Sequence, residues 1–159
     1  MFEVKRPVAR NKDDYQNGNI FFVASGAANN GVMKCCAPKM GEILDKGNCL
    51  TVSPVDGTCF YQPVDFLGRG GAGSSVLMLY HKSVDMNRYL GLFLAKAVNV
   101  ATSQYNYGRM ANAESIKRSK FQLPITSDGQ PDYEYMEQYM RNQEQAIINR
   151  YLNYRLHNL

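Results

Sequence analysis

The residues of this chain whose types could do chemistry are few: four cysteines, two histidines, a glycine-rich segment and a short aromatic and cationic loop. Cys35, Cys36, Cys49 and Cys59 lack the spacing of a zinc site, which wants ligand pairs two to four residues apart and a matching pair elsewhere. Adjacent side chains such as Cys35 and Cys36 point to opposite faces of a strand. Their apolar, strand-like neighbours predict reduced cysteines, in the core or half-buried. His81 and His157 lie far apart and flank no acidic or nucleophilic motif, so both are expected at the surface.

The segment Gly68-Arg69-Gly70-Gly71-Ala72-Gly73-Ser74-Ser75 invites a phosphate-cradle reading. A Walker loop would end in Gly-Lys-Ser/Thr, and no lysine is present here. A dinucleotide fingerprint would open a helix, whereas this loop leads into the strand-like run Val76 to Tyr80. Two readings remain: a surface loop between strands, or a loop whose small residues let backbone approach DNA. No Gly-x-Ser-x-Gly elbow occurs, and Pro131-Asp132 is not followed by the Glu-x-Lys of a metal-dependent nuclease. No catalytic residue, metal or cofactor is therefore expected. Tyr105-Asn106-Tyr107-Gly108-Arg109 joins aromatics, an amide and a cation, a set able to read base edges or to serve as an ordinary polar loop.

Length and composition bound what must position these groups. At 159 residues, 45% hydrophobic and 20% charged, the chain suits one domain with a real core. No apolar run is long enough to cross a bilayer, and the N-terminus has no apolar signal region, so a cytoplasmic protein is expected. Of the formal charge of +4, residues 1–123 carry 15 Lys and Arg against 9 Asp and Glu, whereas residues 124–159 carry 3 against 5. The positive excess belongs to the body, which is compatible with a polyanionic partner.

Residues 1–80 read as short strands. Ile20 to Ala24 is a continuous run of β formers, and Asn29-Asn30-Gly31 is a turn signal. Cys49 to Ser53 and Thr58 to Tyr61 flank Pro54-Val55-Asp56-Gly57, a hairpin loop with Asp-Gly at its tip. Helical spacing begins at Asp85 or Met86, with Leu90, Phe93, Leu94, Ala97 and Ala101 on one stripe. A second helix is expected from Asp132, a plausible N-cap, to about Arg155. On it Tyr133, Met136, Met140, Ile147, Tyr151 and Tyr154 form a stripe, interrupted by Gln143 and widened by Ile148 and Leu152. A helix projecting from the body would leave that stripe exposed, and its simplest partner is the same helix of a second copy.

In order along the chain, several pieces resemble the target recognition domain of restriction-modification specificity subunits, of the type I and type IIB kind. They are Phe2-Glu3-Val4-Lys5-Arg6, Gly18 to Ser25 with Asn29-Asn30-Gly31-Val32, Leu50-Thr51-Val52-Ser53, Gly57 to Gln62, the helix Asn87 to Leu94, and Tyr105 to Arg109. The strongest is Leu123-Pro124 followed by Gly129-Gln130-Pro131-Asp132-Tyr133-Glu134-Tyr135-Met136. The resemblance implies a non-catalytic subunit that binds double-stranded DNA and directs a methyltransferase or nuclease to one half of a bipartite site. It implies a recognition domain over residues 1–131 and a spacer or dimerisation helix over 132–159. A full subunit of that family has two of each, so one of each implies either a half-subunit acting as a coiled-coil homodimer or a part of a disrupted or excised gene.

The expected architecture is α+β, a twisted and mostly antiparallel sheet with flanking helices and a projecting C-terminal helix. Arg69, Ser74, Ser75, Tyr105, Tyr107 and Arg109 are the expected DNA-binding residues. Met136, Met140, Ile147, Tyr151 and Tyr154 are those expected on the dimerisation helix. The rival reading is a protein-interaction module that docks a partner through this helix and binds no DNA.

Overall fold

The computed structural model describes residues 1–71 and 75–157. Among them the elements run β1 (Phe2–Lys5), β2 (Asn17–Val23), β3 (Val32–Cys36), β4 (Cys49–Val52), β5 (Cys59–Gln62), β6 (Leu67–Gly68), β7 (Leu77–His81), α1 (Arg88–Thr102), α2 (Ala113–Arg118) and α3 (Tyr133–His157). The architecture is α+β, with its strands divided between two sheets. The larger sheet has the order β1-β7-β4-β5 and the smaller β3-β2-β6. All pairings are antiparallel except that of β2 with β6.

The larger sheet is the middle layer, which explains its unbroken apolar runs. Leu50, Val52, Leu77 and Leu79 pack against Leu90, Leu94 and Val98 of α1. From the opposite face, Cys49 and Met78 join Val23, Phe66 and Val76 in a second core beneath the smaller sheet. A strand covered on both sides has no solvent face to mark with polar residues, and every residue of β4 is buried. A third cluster, formed by Tyr15, Phe22, Ala24, Cys36 and Leu67, closes the far side of the smaller sheet.

Helix α1 starts at Arg88, later than the apolar spacing indicated, because Asn87 is its cap. The Asn87 carboxamide accepts the N–H groups of Tyr89 and Leu90, each at 3.0 Å. Met86 lies outside the helix, buried, and its carbonyl accepts the Tyr61 hydroxyl at 2.9 Å. The buried side of α1 is Leu90, Leu94, Ala95, Val98 and Thr102, while Phe93, Ala97 and Ala101 are only half-buried. Gly91 lets the Tyr61 ring lie directly on the helix, since a Cβ there would fall 2.5 Å from that ring.

The Asp-Gly hairpin between β4 and β5 forms as expected, with Val52 opposite Cys59. Its tip is docked on the end of α1. Gly57 has φ +73°, and its carbonyl accepts the hydroxyl of fully buried Thr102 at 2.5 Å. Asp132 caps α3, accepting the N–H of Tyr135 at 2.9 Å. The first turns of α3 pack on α1: Met136, expected on the dimerisation stripe, is instead fully buried in the main core, Tyr133 and Met140 are half-buried, and Tyr139 meets Phe93 edge to face at 5.9 Å.

Beyond Glu144 every described residue of α3 is exposed, including Ile147 at 63%, Tyr151 at 59% and Tyr154 at 65%. The helix therefore projects, its free part extending roughly 20 Å at 1.5 Å per residue. Among the described residues no helix is long and apolar enough to cross a membrane.

Gly57 tests the seating of the hairpin. Any Cβ at this position would stand 2.0 Å from the Thr102 carbonyl. The left-handed backbone alone penalises Gly57→Ala by about 1–2 kcal/mol, and the collision adds to that. Urea denaturation should show at least this loss, and an unchanged midpoint would mean that the tip is not seated there.

Candidate nucleic-acid interface

Strand register gathers several loops at one end of the larger sheet. Leu77 pairs with Val52, and Val52 with Cys59, so Ser75 and the hairpin tip lie at the same end. The segment after α1 is fastened to that tip by the Ala111 N–H, which donates to the Pro54 carbonyl at 2.7 Å. From the smaller sheet, the Ser25 hydroxyl donates to the Ser75 carbonyl at 3.0 Å, and the Arg69 N–H to the Val23 carbonyl at 2.7 Å. Lys5 pairs with Met78, so exposed Arg6 emerges at this end too. Arg69, Ser75, Tyr107 and Arg109 are thus carried by loops that share one end of the domain.

The individual side chains differ in what they can reach. Tyr107 is 85% exposed, and Arg109 is exposed beside it. Their turn is fixed by Asn106, whose side-chain carbonyl accepts the N–H groups of Gly108 at 2.9 Å and Arg109 at 3.1 Å. A pre-set turn presents its side chains at little further cost in ordering. Arg69 and Ser75 are half-buried. Ser74 lies outside the described residues. Tyr105 belongs to the main core at 8% exposure, with its hydroxyl 3.5 Å from that of Ser119. Its alternation with exposed Tyr107 disguised this, because the tight turn at 106–109 separates the two environments.

Sequence reasoning missed the group that holds the glycine-rich loop. Arg10 is 8% exposed. Its guanidinium donates to Glu42 Oε1 at 2.8 Å, Asp45 Oδ2 at 2.6 Å, the Gly68 carbonyl at 3.0 Å and the Ile43 carbonyl at 2.9 Å. Asp45 Oδ2 also accepts the Gly68 N–H at 2.9 Å, and Glu42 Oε1 accepts the Tyr15 hydroxyl at 2.7 Å. The partners lie 27 to 58 residues apart, so no local pattern could announce them.

Burial by itself pushes the Glu42 carboxyl up. The hydrogen bonds from Tyr15 and Arg10, with the Lys39 N–H and the charge of Arg10, outweigh it and leave Glu42 below its ordinary range. Burial and the bond to Glu42 push Tyr15 up to about 12.

The remaining polar groups serve the structure. Cys36, Cys49 and Cys59 are buried and Cys35 is exposed, all with free thiols. Burial pushes the Cys49 thiol up to about 12, far from a reactive thiolate. His81 is half-buried, contrary to the surface position expected of it. Its Nδ1 accepts the N–H groups of Ser83 and Val84, and its Nε2 lies 3.1 Å from the Tyr133 hydroxyl. It thereby links the end of β7 to the start of α3. No cluster of His, Cys, Asp and Glu suited to a metal occurs among the described residues.

Residues 1–151 match the family model of the type I restriction modification DNA specificity domain. The chain belongs to that family and is a DNA specificity domain. It is 30% identical over 153 residues to the specificity subunit of a type II restriction enzyme from Heyndrickxia coagulans, an alignment that covers 94% of this chain and 43% of that subunit. The chain therefore spans less than half the length of that relative. No solved structure matches it.

The buried guanidinium sets two expectations. Arg10→Ala leaves two half-buried carboxylates without their cation. Losing one partner of a fully buried pair costs about 3–5 kcal/mol, and the partial solvation of these carboxylates puts the loss towards the lower end. Chemical denaturation should show it. Because the folded pKa of Glu42 is lowered, its contribution is complete above the unfolded value of about 4.3 and is lost as pH falls through the folded value. Acid titration of stability should give a shallower loss in Glu42→Gln than in the parent, and identical slopes would remove Glu42 from the account.

Proposed function

We propose that this chain recognises one half of a bipartite double-stranded DNA site, through the loop end that carries Arg69, Ser75, Tyr107 and Arg109. It is non-catalytic and directs a methyltransferase or nuclease partner to that site. The observation that carries the reading is the convergence of these loops, fastened to one another by backbone hydrogen bonds, on a body with an excess of positive charge. Exposed Arg6 joins the set. Phosphate contacts by such cations supply affinity and register, and Arg109 is placed to fork to a base edge. Residues 1–131 act as the recognition domain and residues 132–159 as the spacer helix.

In this reading the projecting half of α3 pairs with the same helix of a second copy. Its exposed Ile147, Ile148, Tyr151 and Leu152 are what pairing would cover. A twofold axis across the projecting halves gives an antiparallel arrangement. Two recognition domains would then sit at opposite ends, and each helical turn would add about 5.4 Å to the gap between half-sites.

DNA affinity should fall steeply and linearly with the logarithm of salt concentration. Arg109→Ala should cost about 1–3 kcal/mol and relax specificity at one base position. Salt-independent binding, or equal binding by parent and variant across all sequences, would sink the DNA-facing assignment. For the helix, light scattering should show a dimer for the parent and a monomer for Ile147→Glu. A monomeric parent at tens of micromolar, or a dimer indifferent to that change, would rule out the interface.

A further inference from the structure

An open cleft runs along the helical side of the domain, on the outer side of α1. Its floor is the outer side of α1, where Ala97 and Ala101 stand one turn apart. Tyr135, Tyr139 and Met140 of α3 form one wall, and the extended segment Lys120 to Pro124 forms the other. The cleft holds about 730 Å³. Four aromatic rings line it, and two of them, Tyr135 and Tyr139, stack at 6.3 Å. Tyr139 is held by its edge-to-face contact with Phe93, so this wall is preformed.

Small side chains on the floor let another helix approach α1 closely, while aromatic walls offer apolar area to its sides. Charge decides which helix. Lys96 and Lys120 stand at the edges, both exposed, and neither has an ion pair or hydrogen bond among the described residues. Val100, 63% exposed, continues the apolar surface between them. The exposed half of α3 from a second copy is a poor occupant, because beyond Glu144 its charged residues are Arg150 and Arg155. DNA fits badly too, since the lining is mostly apolar.

We propose that this cleft is a docking groove for an acidic amphipathic helix of a partner protein, one that lays its apolar face on Ala97 and Ala101 and sets carboxylates against Lys96 and Lys120. The lining residues of α3 stop at Met140, short of its projecting half, so a partner could be held there while that half is engaged. Its charge contacts lie at the rim, where they set partner choice and association rate more than total affinity.

The test uses the full chain and fluorescent helical peptides read by anisotropy. Two peptides share one Leu and Ala stripe, and one carries Glu at its flanks where the other carries Lys. A third peptide is residues 144–157 of this chain. The Glu peptide should bind the parent at least about tenfold more tightly than the Lys peptide or the chain's own helix. The double variant Lys96→Glu, Lys120→Glu should reverse the preference between the two designed peptides. Both lysines are exposed, so the variant should keep the parent's thermal melting, and the neutral pair Lys96→Gln, Lys120→Gln should keep sequence-specific DNA binding. No binding of the Glu peptide, equal binding of both designed peptides, or preference for residues 144–157 would overturn the proposal. So would loss of DNA binding in the neutral pair, which would assign the lysines to the DNA face instead.

Discussion

One buried cation organises the loop end of this domain. The Arg10 side chain is only 3% exposed, yet it joins the segment after β1, the 42–45 loop and the backbone of Gly68. An isolated guanidinium in that position would be strongly unfavourable, and so would two carboxylates without it. Folding brings all three together with the Tyr15 hydroxyl and the Gly68 N–H, so the charges compensate one another. The consequence reaches the surface. Arg69 follows Gly68 directly, and its N–H is tied to β2, so the start of the glycine-rich loop has a fixed origin.

The layered core acts on the other side of the same loops. Helix α1 covers the larger sheet, and the hairpin tip at Gly57 rests on its last turn through Thr102. The Ala111 N–H then bonds back to the hairpin at Pro54, so the Tyr107 and Arg109 turn is referenced to the same tip as the strands. Positions set by buried backbone hydrogen bonds hold more tightly than those set by surface side chains, because breaking one leaves an unsatisfied polar group. The loops that differ most in sequence character therefore share one rigid frame.

Helix α3 is built of two unlike halves. Its first half is bound to α1 by Met136, by the Tyr139 ring and by a polar knot around Glu144, which accepts from Arg88 at 2.7 Å and from the Tyr89 hydroxyl at 2.8 Å. Arg141 lies over the Tyr89 ring at 4.1 Å. Past this knot every described residue of the helix is exposed. A contiguous exposed stripe on a single helix is the usual mark of a partner.

The sequence alone determined what depends on neighbours along the chain. The Asp-Gly hairpin, the Asn29 to Gly31 turn, the apolar stripe of α1 and the Asp132 cap all follow from residues within a few positions of one another, and all are present. So does the exposed second half of α3, whose stripe has no complementary surface within the chain. The order of motifs carried the family.

Tertiary structure decided what depends on distant pairing. The division of the strands into two sheets could not be read, because a strand buried on both faces shows a run of apolar residues and no alternation. Tyr105 and Tyr107, two residues apart in one polar segment, were assigned alike, yet a tight turn sends one ring into the core and leaves the other in water. Nothing in the residues beside Arg10 marks it for burial. Only contacts across 32 to 58 residues, to Glu42 and Gly68, gave it partners that make burial tolerable. Local sequence encodes local conformation through short-range sterics and hydrogen bonding, whereas the burial of a charge depends on which distant groups the fold brings to meet it.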